Sequence, residues 1–244
     1  MSGRIVLEVD KLTKRFGGLV AVNDMEFVVR EHEVLGLIGP NGSGKTTMMN
    51  LISGALKPTQ GEIRLNGKAI SNKPAREIAR QGVSRTFQLV RILPSLSVVE
   101  NVIAGAVFGH CKLWGKEAHE RAVQLLERVG LGHAIRLPTS ALTYIDQKRL
   151  ELARSLASDP EILLLDEWLA GLNPTELKTG IDLIESLAKE GRTIIIVEHV
   201  MDAIRSLCHR CVVMSSGVKI ADGGTEEVLS DHEVIRAYLG DPNA

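Results

Sequence analysis

A chain of 244 residues, with 44% hydrophobic and 24% charged residues, is long enough to bury a full core as one large domain or as a core with a subdomain. Its formal net charge of -1 excludes the basic excess of a nucleic-acid binder, and no apolar run reaches the roughly 18 residues that span a bilayer. Met1-Ser2-Gly3-Arg4 leads into no secretory apolar stretch, so the expected location is the cytosol. Three cysteines are too few for a disulfide framework. Cys208-His209-Arg210-Cys211 spells C-x-x-C, but no second ligand pair stands at metal spacing, and the thiols are expected to pack as small apolar groups.

Residues 5–9 and 25–29 read as strands, separated by a glycine-containing turn at Phe16-Gly17-Gly18. Phe16 either offers a flat ring to stack on a base or plugs the turn. The apolar run Val34-Leu35-Gly36-Leu37-Ile38 reads as a buried strand and runs directly into Gly39-Pro40-Asn41-Gly42-Ser43-Gly44-Lys45-Thr46-Thr47, after which residues 47–52 can open a helix. The loop matches G-x-x-x-x-G-K-[ST] in its required strand-then-helix setting. Glycines let successive N–H groups curl inward around a phosphate, with the positive end of the helix dipole behind them. Lys45 then supplies a point charge at the β- and γ-phosphates, and the Thr46 hydroxyl a magnesium ligand. A nucleoside triphosphate is the expected ligand.

Gly61-Glu62-Ile63-Arg64-Leu65-Asn66-Gly67 alternates as an edge hairpin strand. Residues 83–87, 162–165 and 193–197 build a parallel core, the last two as continuous apolar runs of the kind covered on both faces. Between Gln88 and Asp159 strands give way to helical periods: a helix capped by Ser97, another over 117–129 stopped by Gly130, and a third from about Gln147 to Ala157. Beyond them come helices over 176–189 and 200–207, a hairpin of 211–214 with 218–221, and two small helices near Glu226 and Glu233. The expected fold is an α/β P-loop NTPase core, with a mostly parallel sheet, an antiparallel β subdomain and an inserted α-helical subdomain. Residues 1–88 and 159–244 form the core and 89–158 the insert, together one domain.

Asp166 and Glu167 end a buried strand, where alternation points adjacent side chains to opposite sides. That assigns Asp166 to the metal shell and Glu167 to the role of general base. His199, at the end of the next strand, is placed to sense the γ-phosphate and orient the attacking water. Gln88, where the helical insert begins, offers an uncharged ligand to metal or water.

In this order, Phe16, the 39–46 loop, Gln88, the helical insert, a leucine-led segment before a helix, 162–167, Ala170-Gly171-Leu172-Asn173-Pro174 and His199 resemble the nucleotide-binding subunit of an ABC transporter, over essentially the whole chain. Arg85-Thr86-Phe87-Gln88, the 170–174 run and the tail Val234-Ile235-Arg236-Ala237-Tyr238-Leu239-Gly240 are similar to the importer subgroup for branched-chain amino acids, the LivG type. The resemblance implies ATP and Mg2+ as cofactors and a head-to-tail dimer, with each ATP between one subunit's phosphate loop and the other's signature segment. It implies integral membrane permease subunits as partners, a second ABC ATPase subunit, either a different chain or a copy, and a periplasmic solute-binding protein in the full system. The charge balance leads to the expectation of no nucleic-acid partner, and the resemblance implies attachment at the inner face of the cell membrane through the permeases.

Two departures stand out. The signature, commonly L-S-G-G-Q, reads Leu142-Thr143-Tyr144-Ile145-Asp146. Thr143 keeps a hydroxyl to donate to the γ-phosphate. Ile145 puts a β-branch where glycine lets a backbone N–H approach, and Asp146 adds repulsive charge unless it is paired. Trp168 replaces the family's proline after Glu167, removing a fixed φ beside the general base. The expected function is the energy-coupling ATPase of an importer for hydrophobic amino acids or a related small solute. The same fold serves a lipid or lipopolysaccharide exporter, because substrate contact lies in other chains, and the two departures also fit a mainly ATP-binding regulatory subunit.

Overall fold

The computed structural model describes residues 3–239 and divides the chain into two compact units, 1–75 with 169–244, and 76–168. Met1, Ser2 and the tail residue Gly240 lie outside the described residues. In chain order the elements are β1 (Ile5–Phe16), β2 (Leu19–Arg30), β3 (Val34–Ile38), α1 (Lys45–Ile52), β4 (Gln60–Leu65) and β5 (Lys68–Ala69). They continue with α2 (Ala75–Arg80), β6 (Val83–Arg85), α3 (Val98–Phe108), α4 (Gly115–Arg128), α5 (Tyr144–Ala157) and β7 (Ile162–Asp166). The chain closes with α6 (Pro174–Lys189), β8 (Thr193–Val197), α7 (Met201–Leu207), β9 (Arg210–Ser215), β10 (Val218–Gly224), α8 (Thr225–Leu229) and α9 (His232–Leu239).

In the first unit β3 runs parallel to β8, with Val34 opposite Ile194, and parallel to β9, with Leu35 opposite Arg210. Every residue of β3 and β8 is buried, as expected of near-continuous apolar strands covered on both faces. β10 returns antiparallel to β9, and Cys208 and Cys211 are buried where α7 gives way to β9. A second, antiparallel layer pairs β1 with both β2 and β4. β1 and β2 are longer than the runs 5–9 and 25–29 expected from alternation. Register shifts interrupt β1 between Val9 and Leu12 and again before Lys14, with Lys11 at φ 46°, so the period of two is lost halfway along the strand. The turn therefore shrinks to Gly17-Gly18, and Phe16 becomes the last residue of β1.

In the second unit β6 pairs parallel with β7, Val83 opposite Ile162. β6 stops at Arg85 rather than running to Phe87. The Thr86 N–H still bonds the Leu164 carbonyl at 2.9 Å, but the Asp166 N–H meets the Thr86 hydroxyl at 3.4 Å. The Phe87 N–H, which faces away from β7, is taken by Glu151 Oε2 of α5 at 3.1 Å. The other oxygen of the same carboxylate accepts the Arg91 N–H at 2.8 Å, so α5 shapes the whole turn that carries Gln88. α3 begins with a capping box between Ser97 and Glu100, and the buried Asn101 side chain holds the approach through Leu93 and Ser97. α3 and α5 pack so closely that a Cβ on Gly105 would meet the Arg154 carbonyl at 2.2 Å. α4 ends just before Gly130, which adopts φ 81°. α5 starts at Tyr144, three residues before the expected Gln147, with the Thr143 hydroxyl accepting the Asp146 N–H as its cap.

Candidate nucleotide-binding and catalytic site

The loop from Gly39 to Thr47 joins β3 to α1 in the first unit. Two of its glycines are demanded by their surroundings: a Cβ on Gly39 would meet the Met214 carbonyl at 2.0 Å, and one on Gly44 the Ala21 carbonyl at 2.4 Å. Gly44 N-caps α1 at φ 104°, a conformation that side chains resist. Lys45 opens the helix buried, and its ammonium donates to the carbonyls of Gly39 at 2.7 Å and Pro40 at 2.9 Å. Ser43 Oγ is buried with no hydrogen-bond partner, an orphaned donor within the loop. Asn41, Gly42 and Thr46 are exposed, and Thr47 is half-buried. These features fit a polyphosphate.

The other predicted residues of this unit are His199, exposed after β8, and Phe16, 45% exposed with the Lys14 ammonium 5.1 Å from its ring centroid. Beside His199, the buried Glu198 accepts the Leu169 N–H at 2.6 Å and anchors the start of the 170–174 run.

The second unit holds Gln88, Thr143, Asp166 and Glu167, and joins the first and last of these. Gln88 Nε2 donates to Glu167 Oε2 at 2.7 Å. Glu167 follows β7 with φ 50°, a left-handed turn that presents its carboxylate past the strand end. Asp166 Oδ2 accepts from Arg85 Nη2 at 2.6 Å, both side chains buried, while Asp166 Oδ1 is buried without a hydrogen-bond partner. An anionic oxygen left open in this way suits a hard cation such as magnesium.

The two departures in sequence have structural answers. Asp146 is paired: Oδ1 accepts from Arg149 at 3.2 Å and Oδ2 from the Thr143 hydroxyl at 2.7 Å. The Thr143 hydroxyl is thus engaged in its own helix cap, and Ile145 sits half-buried in the first turn of α5 rather than in a loop. Trp168 is buried, with Nε1 donating to the Lys148 carbonyl at 3.1 Å.

Arg85, Glu151, Lys148 and Glu198 were not picked out as site-shaping residues from the sequence. For Glu151 a signal existed: an acid between Leu150 and Leu152, in a helix whose apolar positions face the core.

A glycine loop between a buried parallel strand and a helix, with lysine at the helix start, and an acidic pair closing a second buried strand define a P-loop nucleoside triphosphatase. The chain belongs to the ABC transporter family, whose ATPase cassettes couple ATP hydrolysis to transport. Residues 22–170 match the ABC transporter family, and residues 218–243 match the family described as branched-chain amino acid ATP-binding cassette transporter. The chain is 42% identical to the high-affinity branched-chain amino acid transport ATP-binding protein LivG of Salmonella typhimurium, over 97% of this chain and 98% of that protein. Among solved structures it is similar to an ATP-binding cassette of an ABC transporter in its ADP conformation, with TM-score 0.86 and 30% identity over 97% of this chain and 99% of that one. It is also similar to a dimeric ATP-binding cassette in a post-hydrolysis state bound to ADP and Pi, with TM-score 0.80 and 26% identity over 90% of this chain and 98% of that one.

Proposed function

We propose that this chain is the energy-coupling ATPase of an importer for branched-chain or related hydrophobic amino acids. It works in the cytoplasm, held at the inner face of the membrane by permease subunits. The observation that carries hydrolysis is the Glu167 carboxylate, presented beyond β7 and held by Gln88 at 2.7 Å. The amino-acid cargo is supported by the match over 218–243 and the likeness to LivG.

In this reading the 39–47 loop receives the triphosphate on its N–H groups, and Lys45 exchanges its bonds to the Gly39 and Pro40 carbonyls for phosphate oxygens. Phe16 stacks on the base, Glu167 takes a proton from the attacking water, and His199 orients that water. Thr46, Gln88 and Asp166 are the residues that would hold magnesium, which would neutralise charge on the phosphates. Two cassettes, identical or different, close over ATP with Thr143 of one facing the nucleotide of the other. Residues 89–158 then pass the movement to the permeases, and a periplasmic solute-binding protein delivers the cargo.

The test is uptake of labelled leucine, isoleucine and valine by a strain lacking the gene, complemented by the wild-type chain or by Glu167→Gln. Restoration by the wild type alone is expected, with permeases recovered through a tag on this chain. Uptake no higher than in the deletion strain would overturn the importer reading, while ATPase of the recovered complex judges hydrolysis separately.

A further inference from the structure

Lys148 is 2% exposed, although it carries an ammonium group. Burying a charge is costly unless hydrogen bonds replace water. Its acceptors include two backbone carbonyls: Nζ donates to Trp168 O at 3.0 Å and to Glu167 O at 3.5 Å. The bond is returned by Trp168 Nε1, which donates to the Lys148 carbonyl at 3.1 Å. Lysine and tryptophan, twenty residues apart, are therefore tied to each other in both directions.

The residue between β7 and this clasp is Glu167, at φ 50°. A side-chain-bearing residue holds that backbone only when its surroundings over-determine it. Two successive carbonyls, of Glu167 and Trp168, point to one buried cation, so relaxing the turn would strip two acceptors from a buried charge. The Tyr144 ring centroid stands 5.2 Å from the same ammonium, and Tyr144 is the first residue of α5 and 51% exposed.

We propose that Lys148 is a positioning residue that holds the left-handed turn at Glu167 and thereby fixes where its carboxylate meets Gln88, with Trp168 as its packed counterpart. Through Tyr144, Lys148 and the two carbonyls, the first turn of α5 and the end of β7 move as one body. A displacement of the exposed helix start is passed to the base without a change in the strand. Trp168 then serves as half of the device that sets the base. The proposal rests on the reading of Glu167 as general base.

The experiment compares Lys148→Met, Lys148→Arg, Trp168→Phe and Glu167→Gln in the complex purified through a tag on the full-length chain. It measures kcat for ATP hydrolysis, the Kd for a fluorescent ATP analogue and the thermal midpoint. Lys148→Met keeps the length and apolar stem but removes the charge. Its kcat is expected to fall roughly 10- to 100-fold, the scale of a misplaced catalytic group, with Kd unchanged within about twofold. Lys148→Arg is expected to recover at least about half of the wild-type kcat, because a guanidinium can serve the same carbonyls. Wild-type kcat in Lys148→Met overturns the proposal, as does a loss shared equally by Kd or left unrescued by arginine. If Lys148→Met does not fold, Trp168→Phe decides. It keeps a ring but drops the return bond together with part of the packed volume, so a severalfold lower kcat at unchanged Kd and a retained thermal midpoint supports the device, and an unchanged kcat overturns it. Full turnover by Glu167→Gln would instead sink the base reading itself, whatever Lys148 does.

Discussion

Arg85 Nη2 and Asp166 Oδ2 stand 2.6 Å apart with both side chains buried, joining the last residue of β6 to the last residue of β7. In the parallel register Arg85 lies opposite Leu164, so its guanidinium reaches one alternation further along the same face. Breaking a buried pair leaves an uncompensated charge at a cost of about 3–5 kcal/mol. Arg85→Met is expected to lower the unfolding free energy by that order in urea denaturation, and Arg85→Met with Asp166→Asn to recover a large part of it. A loss under about 1 kcal/mol in the single variant would show that the pair does not hold the strand ends together.

Glu167→Gln keeps the shape of the side chain and its neighbour Gln88 but removes the proton acceptor. The expected result is a fall in single-turnover hydrolysis of roughly 10²- to 10⁴-fold with ATP binding retained, and a dimer that persists with ATP on a sizing column. Residual turnover near wild type would assign the proton to another group.

Lys45→Ala removes a buried ammonium that now spans the loop between the Gly39 and Pro40 carbonyls. Charge-assisted bonds of this kind contribute about 1.5–3 kcal/mol, so calorimetry should show ATP binding weakened by roughly 10- to 150-fold. Because the loop's bends are set by Gly39 and Gly44 against Met214 and Ala21, the fold is expected to survive the change.

What could be read from the chain follows from how local each constraint is. Gly39, Gly44, Lys45 and Thr46 are legible because strand, turn and helix start within nine residues and each demands its own residue type. The buried runs of β7 and β8 are legible for the same reason. Nothing local marks Lys148, because acceptors of its ammonium lie about twenty residues away at Glu167 and Trp168. Glu151 reaches sixty or more residues back to Phe87 and Arg91, so no local pattern shows that it shapes the turn after β6. The first turn of α5 was missed because Tyr144-Ile145-Asp146 lacks apolar period, while the Thr143 cap that starts it depends on a bond only the folded backbone displays.

Burial pushes the Glu151 carboxyl above its usual 4.5, against the N–H groups of Arg91 and Phe87 and the nearby Arg154 and Arg91 charges, which favour its ionised form. With the folded value raised, the proton is bound more tightly in the native state. Glu151 therefore adds stability that is fully present below the unfolded value and is lost as pH rises through the folded one. In a urea series starting below pH 4.5, the stability of wild type relative to Glu151→Gln is expected to decline as pH rises through that window and then level off. Parallel profiles for the two proteins would show that Glu151 titrates alike in both states.

The signature segment sets activity against helix stability. Ile145 and Asp146 lie in the first turn of α5, where Asp146 accepts from both Thr143 and Arg149 and its charge sits at the positive end of the helix. Ile145→Gly opens the backbone N–H to a phosphate but costs about 0.5–1 kcal/mol of helix propensity. Asp146→Gln removes the repulsive charge and releases the Thr143 hydroxyl from its carboxylate acceptor, at the cost of the Arg149 pair, a half-buried bond of about 0.5–1 kcal/mol. The double variant is expected to hydrolyse ATP faster in the assembled complex while unfolding about 1–2 kcal/mol more easily. Lower stability without a faster rate would mean that the first turn of α5 already serves the nucleotide with Ile145 and Asp146 in place. Thr143, bound as it is to Asp146, would then act by capping α5 rather than by donating its hydroxyl to a phosphate.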